Sequence, residues 1–162
     1  MIIRPLNSDQ PNLERSRWLT AYAPLFIWIV VILGLGSGIG ASSETSRFIR
    51  PLLEFLFPDA LPQTLSVYHG YIRKFAHFAE YAILGWLACR AFVPRESGFE
   101  KRTVLWAAML VVIVAVIDET TQSFNPNRTG SIYDVAIDLA GGFCAIALFS
   151  LNAKSKARHS SY

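Results

Sequence analysis

Charged residues and cysteines are scarce in this chain of 162 residues, and each shortage excludes a class of protein. Only 17% of the residues are charged, whereas a typical soluble chain has about 25%. The two cysteines, Cys89 and Cys144, both lie in apolar segments, so they form neither a secreted disulfide framework nor a zinc-binding spacing. The sequence contains no P-loop and no glycine-rich dinucleotide motif. Its net charge of +3 is scattered along the chain, which disfavours nucleic-acid binding.

Hydrophobic residues, in contrast, make up 52% of the chain, and the mean hydropathy is +0.35. A transmembrane helix needs about 20 mostly apolar residues. Four segments approach that length: Leu19–Ala41, Tyr71–Val93, Thr103–Phe124 and Ile132–Leu151. The first of them is longer than the roughly 7–15 apolar residues of a cleaved signal peptide, so we interpret it as a retained helix. The sequence therefore predicts an all-α fold, a bundle of four transmembrane helices, and a soluble all-α domain is the alternative.

The segment between the first two apolar runs also has a helical pattern. "SRFIRPLLEFLF" (Ser46–Phe57) places apolar residues among scattered charges, and Pro58 and Pro62 follow it. This pattern predicts a short interfacial helix between helices 1 and 2. The expected organisation is an N-terminal cytoplasmic segment at 1–17, a four-helix membrane domain at 18–151 and a basic cytoplasmic tail at 152–162.

The distribution of lysine and arginine predicts the orientation of the bundle. Ten of these residues lie on the side that holds both chain ends and the 90–103 loop, and five lie on the opposite side. Cytoplasmic loops carry an excess of Lys and Arg. We therefore expect a multi-pass protein with both termini in the cytoplasm.

Acidic residues lie at one depth in three of the predicted spans. Glu80, Asp118 and Asp138 each lie six residues, or about 9 Å, from the predicted outer end of their helix. Residues three or four apart share a helix face, as Asp118 does with Gln122 and Asp138 with Asp134. A carboxylate that faces lipid is costly, so such groups turn inward, pair or contact water. These spacings predict a shared polar cleft that opens outward.

Two stretches of the sequence resemble the VanZ-like family of bacterial integral membrane proteins. "RKFAHFAEYAILG" (Arg73–Gly85) carries a Lys-x-x-His-x-x-Glu-Tyr pattern. "DETTQSFNPNRTGSIYDVAIDLAGG" (Asp118–Gly142) carries Asp-Glu-x-x-Gln, Arg-x-Gly-Ser and Asp-x-x-x-Asp patterns. The resemblance implies a protein of the bacterial cytoplasmic membrane and cell envelope. It also implies an association with glycopeptide resistance of the teicoplanin type.

Ten residues are candidates for the site. Those for proton transfer or catalysis are His77, Glu80, Asp118 and Asp138. Those for holding a ligand are Lys74, Gln122, Arg128, Asp134, Tyr81 and Glu119.

Several of the candidates have alternative interpretations. Glu119 could be a residue of the polar rim, Lys74 could extend to the outer interface with no further role, and Arg128 could hold the loop by pairing with Asp134. Asp134 could equally be part of a capping box with Ser131. His77 could be a general base, or could join the carboxylates in binding Mg²⁺ or Mn²⁺, although paired charges need no metal.

Three classes of function fit this pattern. The first is an enzyme acting on the head group of a lipid-linked or peptidoglycan-precursor molecule, with Lys74 and Arg128 holding its anionic part. The second is a protein that binds or transports a lipid or antibiotic without chemistry. The third is an accessory membrane protein whose charges only hold its helices together. The sequence leaves open whether the protein is an enzyme, and the expected partner in the first two classes is a membrane lipid or lipid-linked precursor.

Overall fold

The computed structural model describes residues 10–36, 42–94, 100–124 and 131–159, and over these residues the fold is entirely helical. The described residues form five helices in chain order: α1 (Gln10–Gly34), α2 (Ser42–Leu56), α3 (Pro62–Phe92), α4 (Lys101–Ser123) and α5 (Ile132–His159). The described residues contain no strand, so the predicted all-α class is confirmed.

Helix α3 is the centre of the bundle and touches all four other helices. Near its C-terminus, Arg90 donates a hydrogen bond to the carbonyl of Thr20 (2.8 Å), and Thr103 donates one to the carbonyl of Phe92 (3.3 Å). Further towards the other end, the Trp28 indole donates to the carbonyl of Glu80 (2.9 Å). Helices α1 and α4 therefore run antiparallel to α3. This is the direction expected if α1, α3 and α4 cross a membrane one after another.

Helix α5 runs parallel to α3, and glycines let the two backbones approach closely. A Cβ atom added to Gly85 would lie only 2.5 Å from the carbonyl oxygen of Gly142. Small residues permit this kind of backbone approach between membrane helices. The approach sets α3 and α5 in register, so that residues 73 and 77 of α3 face residues 134 and 138 of α5.

Helix α4 turns its smaller and polar side chains towards the interior of the bundle and its larger apolar ones outward. The buried residues of α4 are Thr103, Ala107, Val111, Val114, Ala115, Asp118 and Gln122. On the same helix, Leu105, Trp106, Ile113 and Val116 are exposed. A soluble protein rarely exposes so continuous an apolar surface, whereas helices in lipid commonly have small residues at their contacts.

Two described helical segments are long and apolar enough to cross a membrane, Lys101–Ser123 and Ile132–Ser155. The apolar part of α1, Trp18–Gly34, is shorter, and α3 carries Arg73, Lys74, His77 and Glu80 among its apolar residues. These features agree with a membrane protein, and a bundle of four spans stays a prediction.

The helix ends differ from those predicted. Helix α1 begins at Gln10 rather than near residue 19, and residues 37–41 of the predicted span lie outside the described residues. Helix α3 begins at Pro62, whereas the predicted apolar segment began at Tyr71. Proline suits the first turn of a helix, because the backbone N–H that it lacks would have no partner within the helix there. Helix α5 continues past Leu151 to His159, since no glycine or proline interrupts the basic tail.

The predicted interfacial helix is present as α2, which covers one end of the bundle. Its buried Leu53 faces inward, while Leu52, Phe55 and Leu56 are exposed. A helix with exposed apolar residues among its charged ones is typical of a membrane boundary. The position of α2 at such a boundary stays a prediction.

Candidate functional site

Three buried ionisable side chains from three helices meet near the α2 end of the bundle. They are His77 of α3, Asp118 of α4 and Asp138 of α5, with 7%, 2% and 0% of their surface exposed. Each offers one potential ligand atom, and these three atoms lie within 4.8 Å of one another. The His77 Nδ1 atom is 3.2 Å from Asp138 Oδ1. Of the three acids predicted at equal depth, Asp118 and Asp138 lie in this cluster, and its third member is His77 rather than Glu80.

Two further residues, Tyr81 and Gly36, contact the Asp118 carboxylate. The fully buried Tyr81 donates its hydroxyl to Asp118 Oδ2 at 3.4 Å. At the end of α1, Gly36 approaches Asp118 so closely that an added Cβ would overlap the carboxylate oxygen Oδ1. A glycine at position 36 therefore gives α1 access to the cluster.

An ion pair lies one helical turn further towards the end of the bundle. The Arg73 Nη2 atom is 3.3 Å from Asp134 Oδ2, and the Asp134 side chain is 7% exposed. Arg73 and His77 are four residues apart, as are Asp134 and Asp138, so parallel helices bring them together in successive pairs. The buried Nε atom of Arg73 has no hydrogen-bond partner among the described residues.

The start of α5 is held by α4. The carboxylate of Glu119 accepts a hydrogen bond from the backbone N–H of Ser131, and the Ser131 hydroxyl accepts one from Tyr133 N at 3.2 Å. Ser131 thus caps the start of α5, as the sequence suggested. In a capping box Asp134 would accept a hydrogen bond from the Ser131 N–H, but here Glu119 accepts it. Asp134 is left to pair with Arg73.

A cavity of about 130 Å³ opens beside the cluster. Its polar lining consists of His69, Arg73, His77, Glu80, Asp118 and Gln122. Its apolar walls include Ile32, Leu35 and Ile72, and Ile49 of α2 forms part of the roof. Drug-sized ligands occupy pockets of about 300–1,000 Å³, so this volume suits a head group or a few waters rather than a whole antibiotic.

The ten candidate residues are distributed as follows. His77, Glu80, Asp118 and Gln122 line the cavity. Asp138 and Tyr81 lie buried behind it, and Asp134 and Glu119 make the contacts given above. Lys74 is exposed and does not line the cavity, and Arg128 lies outside the described residues.

Arg73 was not among the ten candidates, but it lines the cavity, whereas the candidate Lys74 does not. Both residues are near the same helix face as His77, but only Arg73 has a partner on α5 at the matching spacing. The four-residue step that relates Arg73, His77 and Tyr81 repeats in Asp134, Asp138 and Gly142. Once the register of α3 and α5 is known, comparing the two series places Arg73 opposite Asp134.

A larger groove of about 470 Å³ lies elsewhere, between α1, the C-terminal end of α3 and the middle of α4. It is lined by apolar and aromatic side chains such as Leu19, Phe26 and Phe92. None of the described residues that line it is charged, and in a membrane such a groove would be filled by lipid chains. The candidate site is therefore the smaller, polar cavity.

Comparison with known families gives one match. A family model described as VanZ/LLP1 matches residues 20–153, which include every candidate residue. No curated protein and no solved structure matches the chain.

Proposed function

The chain belongs to the VanZ/LLP1 family, and from this premise we propose that it is a membrane protein whose polar cavity binds the anionic head group of a lipid or lipid-linked cell-wall precursor. The observation that carries the proposal is the position of Arg73. Arg73 lines the cavity, and its guanidinium pairs with Asp134 through one nitrogen and has a buried Nε atom without a partner among the described residues. Guanidinium groups bind phosphates and carboxylates through several donors at once.

The shape of the cavity also supports a lipid ligand. Its lining combines polar groups with the apolar side chains of Ile32, Leu35 and Ile72, which an acyl or prenyl chain next to the head group could contact. Its volume of about 130 Å³ accommodates a phosphate-sized group but not a glycopeptide. The resistance suggested by the resemblance would then arise through the envelope lipid or precursor, and not through capture of the antibiotic in this cavity.

Catalysis on the bound head group is the second candidate, and the His77–Asp138 pair favours it. A histidine close to a carboxylate and lining a cavity is a common arrangement for general acid–base catalysis. No serine nucleophile motif of the Gly-x-Ser-x-Gly type is present in the sequence. An enzyme of this kind would therefore act through proton transfer, with water or the substrate as nucleophile.

A lipid-binding experiment tests the proposal. The purified protein is incubated with a polyprenyl monophosphate, phosphatidylglycerol or phosphatidylcholine, and bound lipid is counted by native mass spectrometry. We expect saturable retention of the phosphate monoester, little retention of phosphatidylcholine, and loss of the preference in Arg73→Gln. The adjacent exposed residue provides the control, since Lys74→Gln should bind as the unmodified protein does.

The same samples distinguish the candidate functions. A change in lipid mass or release of inorganic phosphate over time would identify an enzyme. Saturable binding without turnover would identify a binding protein. If neither occurs, the proposal fails, and the charges of the cluster serve only to hold the helices together.

A further inference from the structure

The cluster behind the cavity contains more negative charge than the described residues around it can balance. Asp118 and Asp138 are buried on α4 and α5, and the basic side chain closest to them in the described chain is His77. Arg73 is already paired with Asp134, and Lys74 is exposed. Even with His77 protonated, the three groups would retain one net negative charge. Buried charge of this kind is costly unless it is paired or coordinates a metal.

The hydrogen bonds of the cluster also indicate that it is a site for a cation. Both carboxylate oxygens of Asp138, Oδ1 of Asp118 and Nδ1 of His77 have no hydrogen-bond partner among the described residues. Asp138 is completely buried, so bulk water does not satisfy its oxygens. Although His77 Nδ1 and Asp138 Oδ1 are 3.2 Å apart, they do not form a well-oriented hydrogen bond. Buried polar groups normally have partners, and an unpartnered set suggests an ion that is not part of the protein.

From these observations we propose that His77, Asp118 and Asp138 bind one divalent cation of the Mn²⁺ or Zn²⁺ type. Two carboxylates neutralise its charge, and the neutral imidazole provides a third ligand. Ligand atoms that each lie about 2.1 Å from one ion are separated by about 3.0–4.2 Å, so movements of under about 1 Å bring the three atoms to that spacing.

The ligand types define the kind of metal. One imidazole and two carboxylates suit Mn²⁺ or Zn²⁺, whereas Ca²⁺ prefers six to eight oxygen ligands. Tyr81 supports the site from a second layer, because its hydroxyl bonds the other oxygen of Asp118 at 3.4 Å and holds that carboxylate in place. His77 and Asp118 also line the cavity, so the ion would lie next to any bound head group.

Metal binding is measured without added lipid, so its outcome is separate from that of the proposed head-group function. The purified protein is treated with a chelator, the chelator is removed, and Mn²⁺ is titrated while the electron paramagnetic resonance of free Mn²⁺ is recorded. We expect one Mn²⁺ per chain, displacement by Zn²⁺ and a higher melting temperature with metal. Because each of the three residues provides a ligand, Asp118→Asn and Asp138→Asn should each weaken binding at least about 10-fold.

Controls separate a site from general attraction to acidic groups. Glu54→Gln removes an exposed carboxylate on α2 and should bind Mn²⁺ as the unmodified protein does. Asparagine is nearly isosteric with aspartate, and circular dichroism and gel filtration establish that each variant is folded. If Asp138→Asn does not fold, the stoichiometry of the unmodified protein and the Asp118→Asn variant still decide the question. Absence of saturable binding, undiminished binding by the folded variants, or Ca²⁺ binding as tight as that of Mn²⁺ would overturn the proposal.

Discussion

Gly85 of α3 and Gly142 of α5 bring their helix backbones into direct contact, with 2.5 Å between an added Gly85 Cβ and the Gly142 carbonyl oxygen. Gly141 makes a similarly close approach to the backbone of Phe78. On the same two helices, Phe78 directly follows His77, and the three glycines lie within about two turns of His77 or Asp138. The distance between the helices at the glycines thus controls whether the histidine and the carboxylate can meet.

Alanine at these glycines should therefore separate α3 from α5. We expect Gly85→Ala and Gly141→Ala each to destabilise the protein by about 1–3 kcal/mol, the usual cost of overpacking a tight contact. Gly70→Ala is the matched control on α3, because nothing lies within 4 Å of its added Cβ. It should stabilise the helix by about 0.5–1 kcal/mol. The melting temperature of each variant in detergent measures its change in stability. Equal changes for Gly85→Ala and Gly70→Ala would contradict the close packing of α3 against α5.

Breaking the Arg73–Asp134 pair should cost more stability than breaking an exposed pair. Asp134→Asn leaves a half-buried guanidinium without its counter-charge, and the loss should stay below the 3–5 kcal/mol or so of fully buried pairs, since 34% of the Arg73 side chain is exposed. Arg50 and Glu54 on α2 form an exposed pair, whose loss should cost no more than about 0.5 kcal/mol. A double-mutant cycle with Arg73→Gln measures the coupling, and no coupling would mean that the pair does not form.

We predict the membrane topology from the distribution of Lys and Arg and from the antiparallel helices. A reporter fused after Tyr162 should show that this end of the chain lies in the cytoplasm. A reporter inserted at Asn125–Asn127 should show that this loop lies outside the cell. Fusion at both sites to alkaline phosphatase and to a fluorescent protein gives opposite signals for the two compartments. The reverse pattern would place the cavity on the cytoplasmic side and exclude a role at the outer leaflet.

The exposed face of α2 should lie against lipid. In a chain with both native cysteines replaced by alanine, we expect Leu52→Cys and Phe55→Cys to react slowly with a membrane-impermeant thiol reagent in intact membranes. Asp59→Cys is the control, because this exposed residue follows the helix and should react quickly. Detergent should remove the protection at Leu52 and Phe55. Rapid labelling of all three in membranes would show that α2 is a water-exposed segment.

Much of this arrangement is predictable from the sequence, because a membrane limits where charges can lie. The apolar runs predicted α4 within two residues at either end, and the equal depths of Asp118 and Asp138 predicted a shared cluster. The choice between Arg73 and Lys74 was not predictable from α3 alone, since both lie near the face of His77. It depended on the rotation of α3 against α5, which the glycine contacts fix in three dimensions.

The measurement that tests the central claim most directly is photo-crosslinking with a polyprenyl monophosphate that carries a diazirine next to the phosphate. The crosslinked protein is digested, and the modified peptides are mapped by mass spectrometry. We predict modification within 69–80 of α3 and 118–122 of α4, which line the cavity, and its loss with excess unlabelled lipid or in Arg73→Gln. Crosslinks confined to lipid-facing residues such as Trp106 and Ile113, or unchanged in Arg73→Gln, would contradict a head-group site in this cavity.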